Sequence, residues 1–494
     1  MSKGKYKLHP VAVIINFVKA LKDLMIPIII LVVANGFNFN FDVRDKEFIG
    51  DLIPILFVFA FVLISFVSGL IKWWTFTYWF EDRELRVEYG LFVKKKRYIP
   101  FDRIQSLNYK EGIFHRIFGL VQVMVETAGS KNGKPEAELT AITKQAAQQI
   151  EEEMKQAKQQ EGSSASGEME SEVVVISPPA KLIHKMSTKD LLLLATTSNG
   201  IGVVLAGIIA VVSQFADLIP FEAIYDEMAH LVKFGVLFIA LIVIVCLLIA
   251  WLISVAMTFL SYYDFTVTEE EERLVITRGL LEKKRITIPL NRVQAVKIVE
   301  NPFRQILGLA TVVVESAGGG FGNEKDKKIV LFPLISKKDA LKPLSELFPT
   351  FDFSYTMQIH SPKKARPFFY RLNIFWTIPI MAIVSYLFYP YGLLVLLSFI
   401  PVVLIGIWQH QTAGFTIVGQ QLTIVSRGIS RVTFFAQKHR IQVVQQSQSY
   451  FQKRKQLASA RIVVMSSGMQ GAAAKAYHME EQHIDDVMQW YERT

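Results

Sequence analysis

Residues 90–129 and 279–318 align without a gap, and 18 of the 40 positions are identical. The identities include Gly90/Gly279, Lys94/Lys283, Lys95/Lys284, Pro100/Pro289, Arg103/Arg292 and Glu126/Glu315. Unrelated stretches of average composition agree at about one position in fifteen. The chain therefore carries a duplication at an offset of 189 residues. A third copy is more diverged: Gly428, Arg440, Gln442, Phe451 and "VVMSSG" at 463–468 match Gly279, Arg292, Gln294, Phe303 and "VVESAG" at 313–318. One unit is written three times, and that decides how every other motif is read.

Each copy follows a strongly apolar stretch. Residues 53–71, 191–216 and 234–263 contain no charged side chain, and each is long enough to cross a bilayer. Leu372 to Trp408 is also uncharged, with "YPYG" at 389–392 dividing it into a helical hairpin. A first span over roughly 11–35 carries Lys19, Lys22 and Asp23 near one end, where long cationic side chains can snorkel to the headgroups. Six spans in three pairs are the expectation. At 51% hydrophobic and 20% charged residues, with a mean hydropathy of +0.31, the chain is too apolar for an ordinary soluble protein. The single cysteine, Cys246, lies in "LIVIVCLLIA", reads as a small apolar filler and excludes an intrachain disulfide. No cleavable leader is evident at the start, and the first apolar stretch reads as a retained anchor.

Charge sets the orientation. The loop at 36–52 has four acids against two bases, and 217–230 carries Asp217, Glu222, Asp226 and Glu227 with no base. On the other side stand Lys3, Lys5 and Lys7, then Lys181, Lys185 and Lys189, then Lys363, Lys364, Arg366 and Arg371. Positive residues mark the cytoplasmic face. Both termini and all three polar units are expected in the cytoplasm.

The polar unit reads as strands closed by a helix. In the second copy "FTVT", "RLVITRG", "KKRITIP", "QAVKIV" and "ATVVVESAG" are short β-branched runs separated by Gly, Pro or charged turns. Alternation places Ile286, Ile288 and Leu290 on one face of their strand. "SKKDALKPLSELF" at 336–348 then has helical spacing, as do "TKQAAQQIEEEM" and "EEQHIDDVMQWY" in the other copies. "KQQEGSSASGEMESE" at 158–172 is polar and without periodicity, the pattern of a flexible linker. The division is a span pair in 1–72, a first domain in 73–157, a linker in 158–190, a second pair in 191–261 and a second domain in 262–349. A linker in 350–371, a third pair in 372–410 and a third domain in 411–494 complete it.

The run "RGLLEKKRITIPLNRVQAVKIVENPFRQILGLATVVVESAGG", preceded by paired apolar stretches, resembles the bacterial pleckstrin-homology (PH) domain family, within it the multi-repeat membrane proteins of the YdbT type. The resemblance covers nearly the entire chain. It implies an α+β, multi-pass protein of the bacterial cell membrane, whose PH-like domains are bent sheets of seven strands plugged by a C-terminal helix.

No catalytic constellation stands out. "GGGFGNEKDKK" at 318–328 lacks the Walker A spacing and reads as a hairpin loop. His478 and His483, with Glu480 and Glu481 between them, read as a solvated helix start rather than a metal site. No enzyme, cofactor or metal is expected. The basic run is the candidate contact: Lys94, Lys95, Lys96 and Arg97 align with Lys283, Lys284, Arg285 and Ile286. A domain hung beneath its own spans presents such a run to the anionic inner leaflet, at about 1 kcal/mol per cation. The plainer reading is a solvated positive face. The motif of Arg103 and Gln105, Arg292 and Gln294, and Arg440 and Gln442 reads as structural, opening a strand whose aliphatics point inward.

The function expected is a non-enzymatic membrane-anchored scaffold, working as a homo-oligomer or in a complex with a related membrane protein. Two alternatives remain. One is anionic-lipid engagement in envelope stress or antimicrobial-peptide resistance, and the other is a transporter or channel component, which the uncharged spans disfavour. Membrane lipids are expected partners and nucleic acid is not.

Overall fold

The computed structural model describes residues 4–34, 48–127, 135–165, 180–198, 236–317, 328–354, 356–387, 391–466 and 471–492, with residues 204, 206 and 389 besides. In the first unit β1 (Tyr6–Lys7) precedes α1 (Val11–Ala34) and α2 (Phe48–Thr75). Then come β2 (Thr77–Glu81), β3 (Glu84–Tyr89), β4 (Lys95–Pro100), β5 (Ile104–Glu111), α3 (Ile113–Ile117), β6 (Leu120–Thr127), β7 (Ala137–Thr143) and α4 (Lys144–Ala165). The second unit repeats the order. It has β8 (Lys181–Lys185), α5 (Thr188–Thr196), α6 (Val236–Tyr262), β9 (Thr266–Glu270), β10 (Arg273–Arg278) and β11 (Lys283–Pro289). It continues with β12 (Val293–Glu300), α7 (Pro302–Ile306), β13 (Leu309–Ser316), β14 (Ile329–Ser336) and α8 (Lys337–Leu347). The third has β15 (Ile359–His360), α9 (Arg366–Leu387), α10 (Phe399–Thr412), β16 (Gly414–Val418), β17 (Gln421–Arg427) and β18 (Arg431–Gln437). It ends with β19 (Ile441–Ser447), α11 (Tyr450–Lys453), β20 (Leu457–Val464), β21 (Ala472–Glu480) and α12 (Glu481–Glu492).

Among the described residues four helices are long and apolar enough to span: Leu56–Thr75, Val243–Tyr262, Lys363–Tyr386 and Val395–Thr412. Of the other two expected spans, α1 forms as a helix, and the third apolar run lies outside the described residues beyond its first turns. The acidic loop at 217–230, the glycine-rich stretch at 318–327 and most of the loop at 36–52 also lie outside them. In the third pair a 3-10 segment, Tyr391–Ser398, leads into α10. A Cβ on Gly392 would lie 2.4 Å from the Val384 carbonyl oxygen, so this hairpin closes only on glycine.

The first strand of every unit precedes the membrane helices. β1 pairs with β2 (Tyr6↔Tyr78), β8 with β9 (Lys181↔Glu269) and β15 with β16 (Ile359↔Phe415). The apolar helices described in each unit thus lie, along the chain, between the first and second strands of one sheet. The stretches 158–190 and 350–371, read as linkers, therefore hold sheet strands, and α4 runs to Ala165 through residues expected to be flexible. Local composition does not reveal this, because the strand's partner lies beyond both helices.

Alternation builds the cores. Tyr78 and Phe80 on β2 and Leu85 and Val87 on β3 are buried, and their neighbours are not. β6 is buried on both faces, as expected of a strand between a sheet and a helix. Gly90 and Gly279 both have φ +106°, and an added Cβ would lie 2.2 and 2.1 Å from the carbonyl oxygens of Val93 and Glu282. That turn explains their identity between copies.

The seven strands of a unit do not form one sheet. The sheet orders are β1-β2-β3-β4, then β7-β6-β5-β11-β10-β9-β8, then β14-β13-β12-β18-β17-β16-β15, then β19-β20-β21. The second half of each unit continues, edge to edge, into the first half of the next.

Candidate functional site

Two strand joints therefore hold the three units together. At the first, β5 pairs with β11 antiparallel: Lys283↔Glu111, Lys284↔Lys110 and Arg285↔Tyr109. At the second, β12 pairs with β18 from Ala295↔Ala436 to Glu300↔Arg431. The register is the same in both, since the last acid of the donor strand, Glu111 or Glu300, faces the first cation of the acceptor strand.

This placement reassigns half of the basic run. Lys284 Nζ lies 3.1 Å from Glu282, which also takes Lys110 at 2.9 Å. Burial alone would raise the Glu282 carboxyl, but the two ammonium groups hold it below the usual carboxylate range. Arg285 reaches Glu270 at 3.1 Å and Glu151 at 3.8 Å, and its guanidinium lies 5.6 Å from the Tyr109 ring centre. Tyr109 donates to Glu151 (3.0 Å), and burial, then the adjoining carboxylate, raises its phenol. Tyr109, Glu151 and Arg285 line a cavity of about 300 Å³ with Glu111, Lys283 and Lys144. Arg285 and the Lys110–Glu282 pair thus bind the second unit to the first, Lys284 adds a second cation to Glu282, and Lys283 stays exposed at the mouth of the turn.

In the first unit the same strand, β4, pairs only with β3 among the described residues. Lys94 and Lys95 are exposed, Lys96 lies 3.7 Å from Glu88, and Arg97 bonds to Glu136. The four cations reach one open edge, beside a turn tied to the end of α2 by Gly90 N–H donating to Thr75 Oγ1 (3.2 Å).

A buried carboxylate fastens each joint. Glu126 accepts from Ser106 Oγ (3.0 Å) and Asn108 Nδ2 (3.1 Å), and Asn108 Oδ1 accepts the Thr287 N–H of the next unit (3.0 Å). Its repeat equivalent Glu315 accepts from Lys297 Nζ (2.6 Å) and from Ser466 Oγ of the third unit (2.7 Å). The aligned residue in the third copy is Met465. Sequence reasoning singled out Glu126 and Glu315 only as identities. The exchange for Met465 in the last copy was the available signal.

The repeated Arg–aliphatic–Gln motif lies where the two halves of a unit meet. Ile104, Val293 and Ile441 are buried as expected. Gln294 Nε2 donates to the Arg292 carbonyl (2.9 Å), whereas Gln442 is exposed. Arg440 donates to Asn291 O of the second unit (2.9 Å), so this arginine also works between units. Asp102, Gln105, Asn291 and Arg292 share a cavity of about 280 Å³ with Glu271 and Glu272 across the first joint. His478 is not at a solvated helix start. Its ring is 4.9 Å from Phe369 and its Nδ1 2.8 Å from Gln452 Nε2, and burial, with Lys475 adding to it, lowers its pKa to about 4.

Apolar helices, antiparallel sheets and a closing helix, recurring in three units, define a membrane repeat protein of the PH-like class. The bacterial PH domain family matches residues 48–158, 191–347 and 372–493, and the chain belongs to it. Over 99% of its length it is 34% identical to the UPF0699 transmembrane protein YdbT of Bacillus subtilis (strain 168), covering 98% of that protein. No solved structure matches the chain.

Proposed function

We propose that the protein is a non-enzymatic membrane scaffold that presents a continuous β-array beneath the cytoplasmic leaflet and docks a related PH-domain membrane protein on β4. The observation that carries this reading is the joint used twice within the chain. β11 and β18 each receive the second-half sheet of a preceding unit, and β4, their equivalent, pairs only with β3 among the described residues. An unpaired edge is a template for strand addition unless it is protected, and lysine is the usual protection. Lys94 stands where Lys283 and Arg431 meet the acids Glu111 and Glu300. This chain's other free edge, β19, carries Gln448 at the acid's position, next to Ser449, which caps its helix as Asn301 does. Met465 replaces the buried carboxylate as well. A second copy would thus offer β4 no counter-charge, and a PH-like strand that retains the acids would. The basic clusters before each span pair support the cytoplasmic placement.

The test is a photoreactive amino acid in place of exposed Tyr98 on β4, irradiated in cells. The expected adduct is a second PH-domain membrane protein, lost on Lys94→Glu and Lys95→Glu substitution. Adducts to this chain alone, or a lone monomer after mild detergent extraction, would sink the reading.

A further inference from the structure

Each unit carries one short helix between its fifth and sixth strands: α3, α7 and α11. The third residue of each is polar and buried: His115, Arg304 and Gln452. All three fasten the helix beside the first residues of the unit's own membrane helices. His115 Nε2 lies 2.8 Å from the Thr140 carbonyl, and the neighbouring Ala141 carbonyl accepts the His9 N–H, two residues before α1. Arg304 donates to Thr197 Oγ1 (3.1 Å) and to the Leu194 carbonyl (3.3 Å), both within the third apolar run. Gln452 holds His478, whose ring packs on Phe369 in the first turn of α9.

The other side of these helices is apolar and exposed: Ile117, Phe118, Phe303, Ile306, Tyr450 and Phe451. Ile306 is 84% exposed, although it sits within a helix whose Arg304 is buried. The first two of these helices also meet the turn of the next unit. Arg116 donates to the Leu280 carbonyl (2.8 Å), and the Leu280 N–H donates to Leu260 O in the last turn of α6 (2.9 Å). Arg427 donates to Gln305 Oε1 (2.7 Å), beside exposed Ile429. In the first unit the same turn shows Phe92, 95% exposed.

Single exposed apolar residues are ordinary, but a patch recurring at one position in three units marks an interaction surface. We infer that the three short helices and the turns beside them are interfacial wedges, seated in the headgroup–acyl boundary of the leaflet that the spans enter. The occupant is lipid because the patches lie beside the starts of the spans: Arg304 is hydrogen-bonded to the third apolar run itself, His115 to the residue next to the one that holds His9, and Gln452 to the ring that packs on Phe369. They are also edged by cations, with Arg454 lying over the Tyr450 ring (5.9 Å) beside Lys453 and Lys455. Aromatic and aliphatic side chains with basic neighbours are the composition of an interfacial helix. The membrane contact assigned here is the short helix, a different surface from the basic strand, and it does not depend on what docks on β4.

The test uses the full chain with Cys246→Ala and one nitroxide-labelled cysteine at a time, reconstituted in phosphatidylethanolamine–phosphatidylglycerol vesicles. The substitutions are Ile117→Cys, Ile306→Cys and Phe451→Cys, with Val418→Cys as comparator. Val418 is exposed at the β16–β17 turn, the opposite end of its sheet from Ile429. Collision with oxygen, which concentrates in lipid, and with a neutral nickel chelate, which stays in water, reports depth. The expected result is a several-fold higher oxygen-to-nickel ratio at the three wedge positions than at Val418. Equal ratios overturn the inference, and so does shielding from both reagents, which would mean a protein surface covers the patch.

Discussion

The two joints share a register and differ in what fills it. The first is short and ionic, with three residue pairs beneath Lys110, Lys284, Arg285 and the acids Glu151, Glu270 and Glu282. The second has six pairs and is core. Phe435 of the third unit lies in the second unit's hydrophobic cluster, and Ala295 of the second lies in the third's. One backbone arrangement can thus be held by exposed charge or by buried apolar surface. Only the latter makes two units a single folding entity, because exposed ion pairs contribute little and packed side chains contribute much.

The largest expected effect comes from cutting the apolar joint. Phe435→Ala removes a fully buried ring that packs 5.1 Å from Phe353, and should cost about 4 kcal/mol. Unfolding in detergent, followed by heat or denaturant, should show the second and third units losing stability together. Loss confined to the third unit would separate them.

A pH titration probes the three-stranded sheet β19-β20-β21, which among the described residues is not continued by another strand. His478 on β21 is held down to about 4 by burial, with Lys475 adding to it, whereas an unfolded histidine titrates near about 6.5. The unfolded chain binds the proton first, so stability is full above about pH 6.5 and falls as pH drops from there towards 4. Because the ring is only partly buried, the loss should be about 2 kcal/mol, and His478→Asn should flatten it. His184 on β8 is shifted downward by burial as well, so a shallower dependence should remain in that variant. A wild-type curve flat across the window would remove His478 from this role.

The smallest effect should come from the ionic joint. Arg285→Ala, at a side chain 36% exposed, should cost under about 1 kcal/mol, and the difference should fade in molar salt. A larger, salt-independent loss would make the two joints alike.

Much of this fold was legible along the chain. Gly90 and Gly279, the inward Ile286 and Ile288 of β11, and the uncharged run in α6 each follow from a period or a turn within a few residues. The positions that misled were those whose partner is distant. Arg285 read as part of a surface cluster because its counter-charges lie on α4 and β9. His478 read as solvated because the rings that cover it belong to α9, more than a hundred residues earlier. The exposed faces of α3, α7 and α11 left no mark in the sequence, because an apolar residue in a helix of four or five residues reads alike whether it is buried or exposed.

By itself the sequence determined that one unit is present three times, that each has its own apolar helices, and that its strands turn where glycine or a charged pair requires. These follow from side-chain periodicity and backbone sterics, which act over a turn or a strand. Tertiary structure alone decided that each unit's strands are divided between two sheets, and that those sheets pass from one unit to the next. A strand edge offers the same N–H and C=O groups to any partner. Which strand takes them depends on where the membrane helices return the chain and on which side chains meet across the joint.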